Sequence, residues 1–304
     1  MTIGILQSRL FGDMFGTAAM RAVFDDRAFL ARCAEVEAAL ARAQARLGIV
    51  PEAAAEAITA AAAADPATFD LDRLKRETET VGYPILPLVR QLAEKAGEAG
   101  RWLHWGATTQ DIMDTAAVLQ IRDGLALIAA DLDRARGHLA DLARRWRDAP
   151  MAGRTHLQHA LPITFGFKAA VWLSSVLRHA ERVRAAVARP IPGEFAGAAG
   201  TLASLQEQGL AVRRAFMRRL RLPEPTITWA AMRDEVFVRV AALAGLTNSL
   251  AKIAQDIAEL GSTEIGEVAE PHAGGKDTSS TLPLTHAALA LKRAVRPIAT
   301  RPMA

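Results

Sequence analysis

One stretch limits the fold of this chain more than any other. Val118, Ile121, Leu125, Ile128, Leu132, Ala135, Leu139, Leu142 and Trp146 recur at strictly alternating spacings of three and four, and no proline intervenes before Pro150. At 3.6 residues per turn this pattern is one apolar stripe on a helix about 45 Å long. So long and narrow a seam is buried only beside other long helices. The rest of the chain supplies them. Asp25 or Asp26 can cap a helix whose Phe29, Cys33, Val36, Leu40, Ala43 and Leu47 share a face, with Gly48 ending it and Pro51 following. Alanine-rich helices are expected over residues 52–64 and 87–96. Pro162 can start another through Phe165, Ala169 and Leu173 toward Val187, before Pro190 and Pro192 break it. Two more are expected over 202–220 and 232–261, the latter with Val240, Leu243, Thr247, Leu250, Ala254, Ile257 and Gly261 on one side. No strand-like alternation of any length is found. The expected class is all-α, a bundle of long helices, and its narrow seams imply association into a larger helical core.

Composition excludes several function classes. The net charge of +4 is dispersed, with no basic block interleaved with aromatics, so no nucleic-acid partner is expected. No apolar run reaches the roughly 20 residues that span a bilayer, so no membrane partner is expected. The N-terminus lacks the charged and apolar regions of a signal peptide. The single cysteine, Cys33, cannot form an internal disulfide and lies on an apolar stripe, which fits a structural thiol in a reducing, cytoplasmic compartment.

Chemistry concentrates in three polar clusters between the helical patterns. The first reads His104-Trp-Gly-Ala-Thr-Thr-Gln-Asp-Ile-Met-Asp114, just ahead of the long helix. The unpaired N–H groups and positive dipole end of a helix N-terminus suit an anion. Asp111 and Asp114 fit helix caps there better than ligands. The second cluster is Gly153-Arg-Thr-His-Leu-Gln-His159 and the third Gly274-Gly-Lys-Asp-Thr-Ser-Ser-Thr-Leu-Pro283. Imidazoles, with an ordinary pKa of about 6.5, exchange protons near neutrality. Glu264 and Glu267 have no histidine at ligand spacing, so no metal site is expected.

Taken in order, these clusters resemble the fumarase/aspartase superfamily of homotetrameric lyases. Ser8-Arg-Leu-Phe-Gly-Asp-Met-Phe, Val36-Glu-Ala-Ala-Leu-Ala-Arg-Ala-Gln, Gly197-Ala-Ala-Gly-Thr201 and Thr263-Glu-Ile-Gly-Glu-Val-Ala-Glu-Pro271 extend the likeness over almost everything up to Pro283. Within the family the motifs are most similar to those of the 3-carboxy-cis,cis-muconate cycloisomerases, with the adenylosuccinate lyases next. The resemblance implies addition or elimination across a C–C bond next to a carboxylate, with no metal and no cofactor. It implies His156 as the general acid/base and Ser279 as the catalytic serine. By the same resemblance His104, Thr108, Thr109, Gln110, Arg154, Thr155, Gln158, Lys276 and Ser280 bind a small polycarboxylate substrate. It further implies a homotetramer in which each site draws on three chains.

The pattern also has departures. Thr285 stands where the family has a lysine and Ala287 where it has an asparagine; Thr278 replaces a glycine. Glu194 occupies a place where glutamine is common, and an alanine follows Trp229 where histidine is common. Threonine cannot supply the missing lysine charge at a developing oxyanion, which implies impaired turnover. The domains expected are 1–100 (N-terminal helical), 101–285 (central long-helix bundle) and 286–304, an Ala-, Arg- and Pro-rich tail in place of the family's C-terminal domain. A reading-frame change near Pro283, or alternatively a natural short form, would give such a tail. Three functions follow as expectations: a cycloisomerase forming a lactone, an adenylosuccinate lyase-like β-elimination, and a non-catalytic helical assembly protein.

Overall fold

The computed structural model describes Gly4, Ser8, residues 10–269 and residues 296–297. Helix dominates, as the all-α expectation requires. The elements are α1 (Gly12–Phe15), α2 (Ala18–Phe24), α3 (Asp26–Ala45), α4 (Glu52–Ala62), α5 (Leu71–Val81), α6 (Ile85–Ala96), α7 (Thr109–Arg145), α8 (Phe165–Ala188), α9 (Gly209–Leu220) and α10 (Asp234–Leu260). A hairpin of β1 (Pro150–Thr155) and β2 (Gln158–Thr164) separates α7 from α8, and β3 (Val268–Ala269) pairs with β4 (Arg296–Pro297).

The chain forms two compact units. One comprises Ala22–Gly124 and Arg189–Phe237. Its core is built on α3, which Asp25 caps by accepting the Ala28 N–H at 2.7 Å. The expected stripe is buried: Cys33 and Val36 are at 0% exposure and Leu40 at 1%. Against it pack Ile58 from α4, Leu88 and Leu92 from α6, Ile112 and Leu119 from α7, and Phe216 from α9. Phe216 meets Phe195 edge-on, with ring centroids 5.4 Å apart. Small side chains of α4, Ala54, Ala55 and Ala61, form its buried face. Helix α5 is absent from the sequence expectation. It is capped by Asp70, whose side chain accepts the Arg73 N–H at 2.9 Å, but buries only Leu74.

The other unit comprises Met1–Arg21, Leu125–Ala188 and Val238–Ala304. Here the rest of α7 (Leu132, Ala135, Leu139) packs with α8 (Phe165, Trp172, Val176, Val183) and α10 (Leu246, Leu250, Ile253, Ile257, Leu260). Each fully buried Leu, Ile, Val or Phe among them stabilises by about 1.5–3 kcal/mol relative to exposure. Trp172 Nε1–H donates to Asp256 Oδ2 at 2.7 Å, and His179 Nε2 pairs with Ser249 Oγ at 2.9 Å, so both polar atoms in this core are satisfied.

Three expectations need correction. Pro162 lies in β2 and α8 begins at Phe165, where Thr164 Oγ1 accepts the Phe167 N–H at 3.1 Å. The expected helix over 202–220 is a 3₁₀ segment, Ala203–Gln208, followed by α9. The inward stripe of α10 is Leu246, Leu250, Ile253, Ile257 and Leu260, whereas Val240 and Thr247 face outward. By length and composition alone α10 could cross a bilayer, with a mean hydropathy of 1.4 over its most apolar stretch, of which 17% is buried, but charged residues interrupt it and no uninterrupted apolar run spans it. Leu250, Ile253 and Ile257 use one side of it for packing in the bundle, and Asp256 is bonded to Trp172.

Candidate functional site

The turn that leads into α7 is held from below by α3. Glu37 and Gln44 sit on the buried face of α3, two turns apart, at 1% and 0% exposure. Glu37 Oε2 accepts the backbone N–H of His104 at 3.2 Å, and Oε1 lies 2.5 Å from His104 Nδ1. A carboxylate cannot donate, so the ring nitrogen carries the proton. Gln44 Nε2–H donates to the Trp105 carbonyl at 2.7 Å. His104 adopts a positive φ of 60°, uncommon for a residue with a Cβ. Gly106, at φ 74°, is required: a Cβ there would lie 2.8 Å from Leu205 Cγ. Burial opposes protonation of His104, but the hydrogen bond and charge of Glu37 outweigh it, aided by Asp111, and hold the imidazole above its ordinary pKa.

Asp111 stands in the first turn of α7, not at the N-cap position that the sequence suggested. Its Oδ2 accepts the Thr108 N–H at 2.9 Å, as the side chain at the third helical position does in half of a capping box. It does more. Oδ2 also accepts the Gly197 N–H at 3.0 Å and Oδ1 the Ala196 N–H at 2.9 Å, so one buried carboxylate ties the 196–197 loop to the start of α7. Asp114 instead forms a forked pair with Arg233, at 2.8 and 3.0 Å, and accepts Gln110 Nε2–H at 2.7 Å. Thr108, Thr109 and Gln110 are thus gathered, half-buried, at one helix N-terminus with His104 one turn of chain away.

Glu194 is fully buried beneath this helix start. Its Oε2 accepts the Trp229 N–H at 2.7 Å, while Thr115 Oγ1 bonds both its N–H and its carbonyl at 2.9 Å. Oε1 has no partner among the described residues. Burial pushes this carboxyl up, and the charges of Asp111 and Asp114 add to the effect.

In the second unit, Arg154, Thr155, His156 and Gln158 sit on the β1–β2 hairpin, which the sequence did not suggest. Arg154 pairs across with His159 and Thr155 with Gln158. The two residues between them, His156 at φ 48° and Leu157 at φ 61°, are both left-handed, as a two-residue I′ turn demands. Such turns favour Asn-Gly; placing His-Leu there costs about 1–2 kcal/mol per residue. Gly153 marks a bulge, and a Cβ on it would lie 2.5 Å from the Leu161 carbonyl oxygen. Thr155, His156, Gln158 and His159 are exposed. Arg154 is taken up by Glu267 through two bonds of 2.7 and 3.0 Å, and its Nη2–H reaches His159 Nε2 at 3.4 Å. Burial pushes the Glu267 carboxyl up, but the Arg154 guanidinium and the Ala152 N–H outweigh it and hold it below the usual range. The fork of Arg154, expected to bind substrate, is largely engaged by protein.

Lys276, Ser279 and Ser280 lie outside the described residues. Among the described residues no three His, Cys, Asp or Glu side chains converge as metal ligands; Glu264 is exposed and Glu267 is bound to Arg154. Sequence reasoning missed Glu37, Arg233 and the partner of Arg154. One signal was present: Glu37 and Gln44 interrupt the apolar face formed by Cys33 and Leu40 at helical spacing.

Residues 14–285 match the family described as "Lyase". The chain is 43% identical over 273 residues to trans-aconitate decarboxylase 1 of Mycosarcoma maydis, covering 89% of this chain and 55% of that protein. It is 44% identical over 280 residues to 3-carboxy-cis,cis-muconate cycloisomerase of Pseudomonas aeruginosa, covering 91% and 61%. A crystal structure of fumarate lyase from Mesorhizobium sp. BNC1 superposes with a TM-score of 0.79 at 60% identity, over 83% of this chain and 59% of that one. The chain therefore spans between half and two thirds of the length of these relatives. Matched over nearly all of its described residues, it belongs to the lyase family of the fumarase/aspartase superfamily.

Proposed function

We propose that this chain acts on a small unsaturated polycarboxylate as a 3-carboxy-cis,cis-muconate cycloisomerase, with no metal or cofactor. The observation that carries this reading is the hairpin tip: an exposed imidazole, His156, on a left-handed backbone that His-Leu adopts at a cost, beside an arginine fixed by a carboxylate. Strain of this kind is retained where it serves the site.

In the proposed reaction a substrate carboxylate oxygen forms a bond to one carbon of a double bond. The π electrons move to the neighbouring carbon, which carries another carboxylate, and a proton arrives there. The product is a lactone with the same atoms. His156, together with Ser279, moves the proton. His104, Thr108, Thr109 and Gln110 at the α7 N-terminus of one chain, with Thr155, Gln158, Lys276 and Ser280 drawn from other chains of the oligomer, hold the carboxylates and spread the developing charge. Arg154, held by Glu267, contributes positive charge near the hairpin tip. The names of the relatives support a shared ligand type: trans-aconitate and 3-carboxymuconate are both unsaturated tricarboxylates, although the bonds made or broken differ. Adenylosuccinate-type β-elimination is the second reading, since the same acid/base pair serves it. Thr285 in place of the lysine lowers the turnover expected of either, and binding without turnover is the mark of a non-catalytic assembly protein.

The test is the ultraviolet absorbance of 3-carboxy-cis,cis-muconate mixed with purified protein. Decay with appearance of the lactone supports the reading. No decay, together with uncleaved adenylosuccinate, overturns both enzymatic readings.

The reading includes a homo-oligomer, a homotetramer by resemblance, in the cytoplasm, and the domain division at residues 100 and 285. Phe167 and Val171 of α8 and Val238 and Val240 of α10 are each more than half exposed, a large apolar area for one subunit. Light scattering at low micromolar concentration is expected to give a mass several times the 32.6 kDa of one chain; a clean monomer contradicts the expectation.

A further inference from the structure

Glu37 lies outside the polar clusters and has no part in the chemistry described so far, yet it is among the most thoroughly buried acids of the chain. Its side chain is 0% exposed, whereas that of His104 is 24% exposed. Both carboxylate oxygens are spent on one residue: Oε2 on the His104 N–H and Oε1 on its Nδ1–H. A buried carboxylate is costly unless it is paired and hydrogen-bonded, and here its whole compensation is the conformation and proton of one histidine. Among the described residues His104 Nε2 takes no hydrogen-bond partner, so the ring is fixed at one nitrogen and open at the other. Gln44 holds the next carbonyl, Trp105, and so fixes the same turn from two helical turns further along α3.

We propose that Glu37 is a positioning residue: through Nδ1–H it fixes the ring orientation of the His104 imidazolium and thereby presents Nε2–H to a substrate carboxylate. The titratable groups facing His104 are Glu37 from α3 and Asp111 from α7, both acidic, and both favour the imidazolium. The arrangement follows the rule that a carboxylate on one imidazole nitrogen sets what the other nitrogen does. The assignment rests on the polycarboxylate reading for the ligand, but not for the state of the histidine, and the two are tested apart.

The histidine is tested without substrate, by following the His104 Cε1–H resonance against pH in the intact chain and in Glu37→Gln. In the wild type it is expected to titrate above the ordinary value, and in Glu37→Gln to fall by about one pH unit or more, the size of effect an adjacent carboxylate has. The ligand is tested by titrating tricarballylate, a non-reactive tricarboxylate, into wild type, Glu37→Gln, His104→Gln and the double variant. Each single change is expected to weaken binding about tenfold, as loss of a charged hydrogen bond does. The double variant is expected to bind no worse than His104→Gln, because Glu37 acts only through His104. Additive losses, or a His104 titration unmoved by Glu37→Gln, overturn the proposal. Should Glu37→Gln not fold, the wild-type titration decides: a His104 midpoint at or below the ordinary value overturns it. A moved titration with no tricarboxylate binding in any form would sustain the pairing and instead remove the polycarboxylate reading.

Discussion

Replacing His156 by alanine is expected to slow conversion of 3-carboxy-cis,cis-muconate by about 10²–10⁴-fold, the usual contribution of a positioned acid/base group. The fall is expected in kcat and kcat/KM together, because the proton is in motion only in the transition state. Tricarboxylate binding is expected to change little, since His156 stands at the tip of the hairpin and makes none of the hydrogen bonds that hold β1 to β2. A glycine at the same position removes the imidazole and relieves the left-handed backbone as well. Comparing His156→Ala with His156→Gly therefore separates lost chemistry from released strain: equal losses in rate with unequal stabilities assign the rate to the side chain. A His156→Ala protein that converts substrate within about threefold of the wild-type rate would place the acid/base chemistry elsewhere.

The second large effect concerns stability. Asp111→Ala is expected to destabilise the unit containing the α7 N-terminus by about 3–5 kcal/mol, because three backbone N–H groups, of Thr108, Ala196 and Gly197, lose their acceptor where water is largely excluded. The effect reaches the candidate site, since Thr108 starts the helix on which Thr109 and Gln110 stand. Asp111→Asn keeps one carbonyl oxygen and is expected to lose roughly half as much. Urea unfolding of the three proteins checks this; a midpoint for Asp111→Ala indistinguishable from wild type would mean that the loop and the helix start are held by other contacts.

How much of this was legible in the sequence depended on how each element is buried. Helices α3, α7 and α8 carry their larger apolar side chains at spacings of three and four, which betrayed them even where small residues bury other sides as well, and Cys33, Leu40, Leu132 and Leu139 are buried as expected. Helix α5 was missed because it buries a single residue, Leu74, and its short stripe of Leu71, Leu74 and Val81 is outnumbered by charged side chains. The stripe of α10 was set wrongly because Phe237, Val238, Val240 and Leu250 surround the helix with apolar side chains, and composition alone cannot say which side is inward. The β1–β2 hairpin escaped because it is exposed and carries little β-branched alternation; its turn uses His156-Leu157 instead of the Asn-Gly that would have announced it. For the candidate site, the residues on turns were legible as motifs. Their supports were not. Glu37, Glu194, Arg233 and Glu267 are distant in sequence from the groups they hold, and a carboxylate on a helix reads first as a solvated face.

Recognition of a polycarboxylate by the polar turns underlies the whole functional reading, and it can be measured whether or not the chain turns substrate over. Isothermal titration of tricarballylate into the wild-type protein, with acetate as the control, should give a saturable heat for the tricarboxylate alone, weakening as salt is raised. Binding should diminish in His104→Gln. No saturable heat at millimolar tricarballylate, or equal binding of acetate, would contradict it.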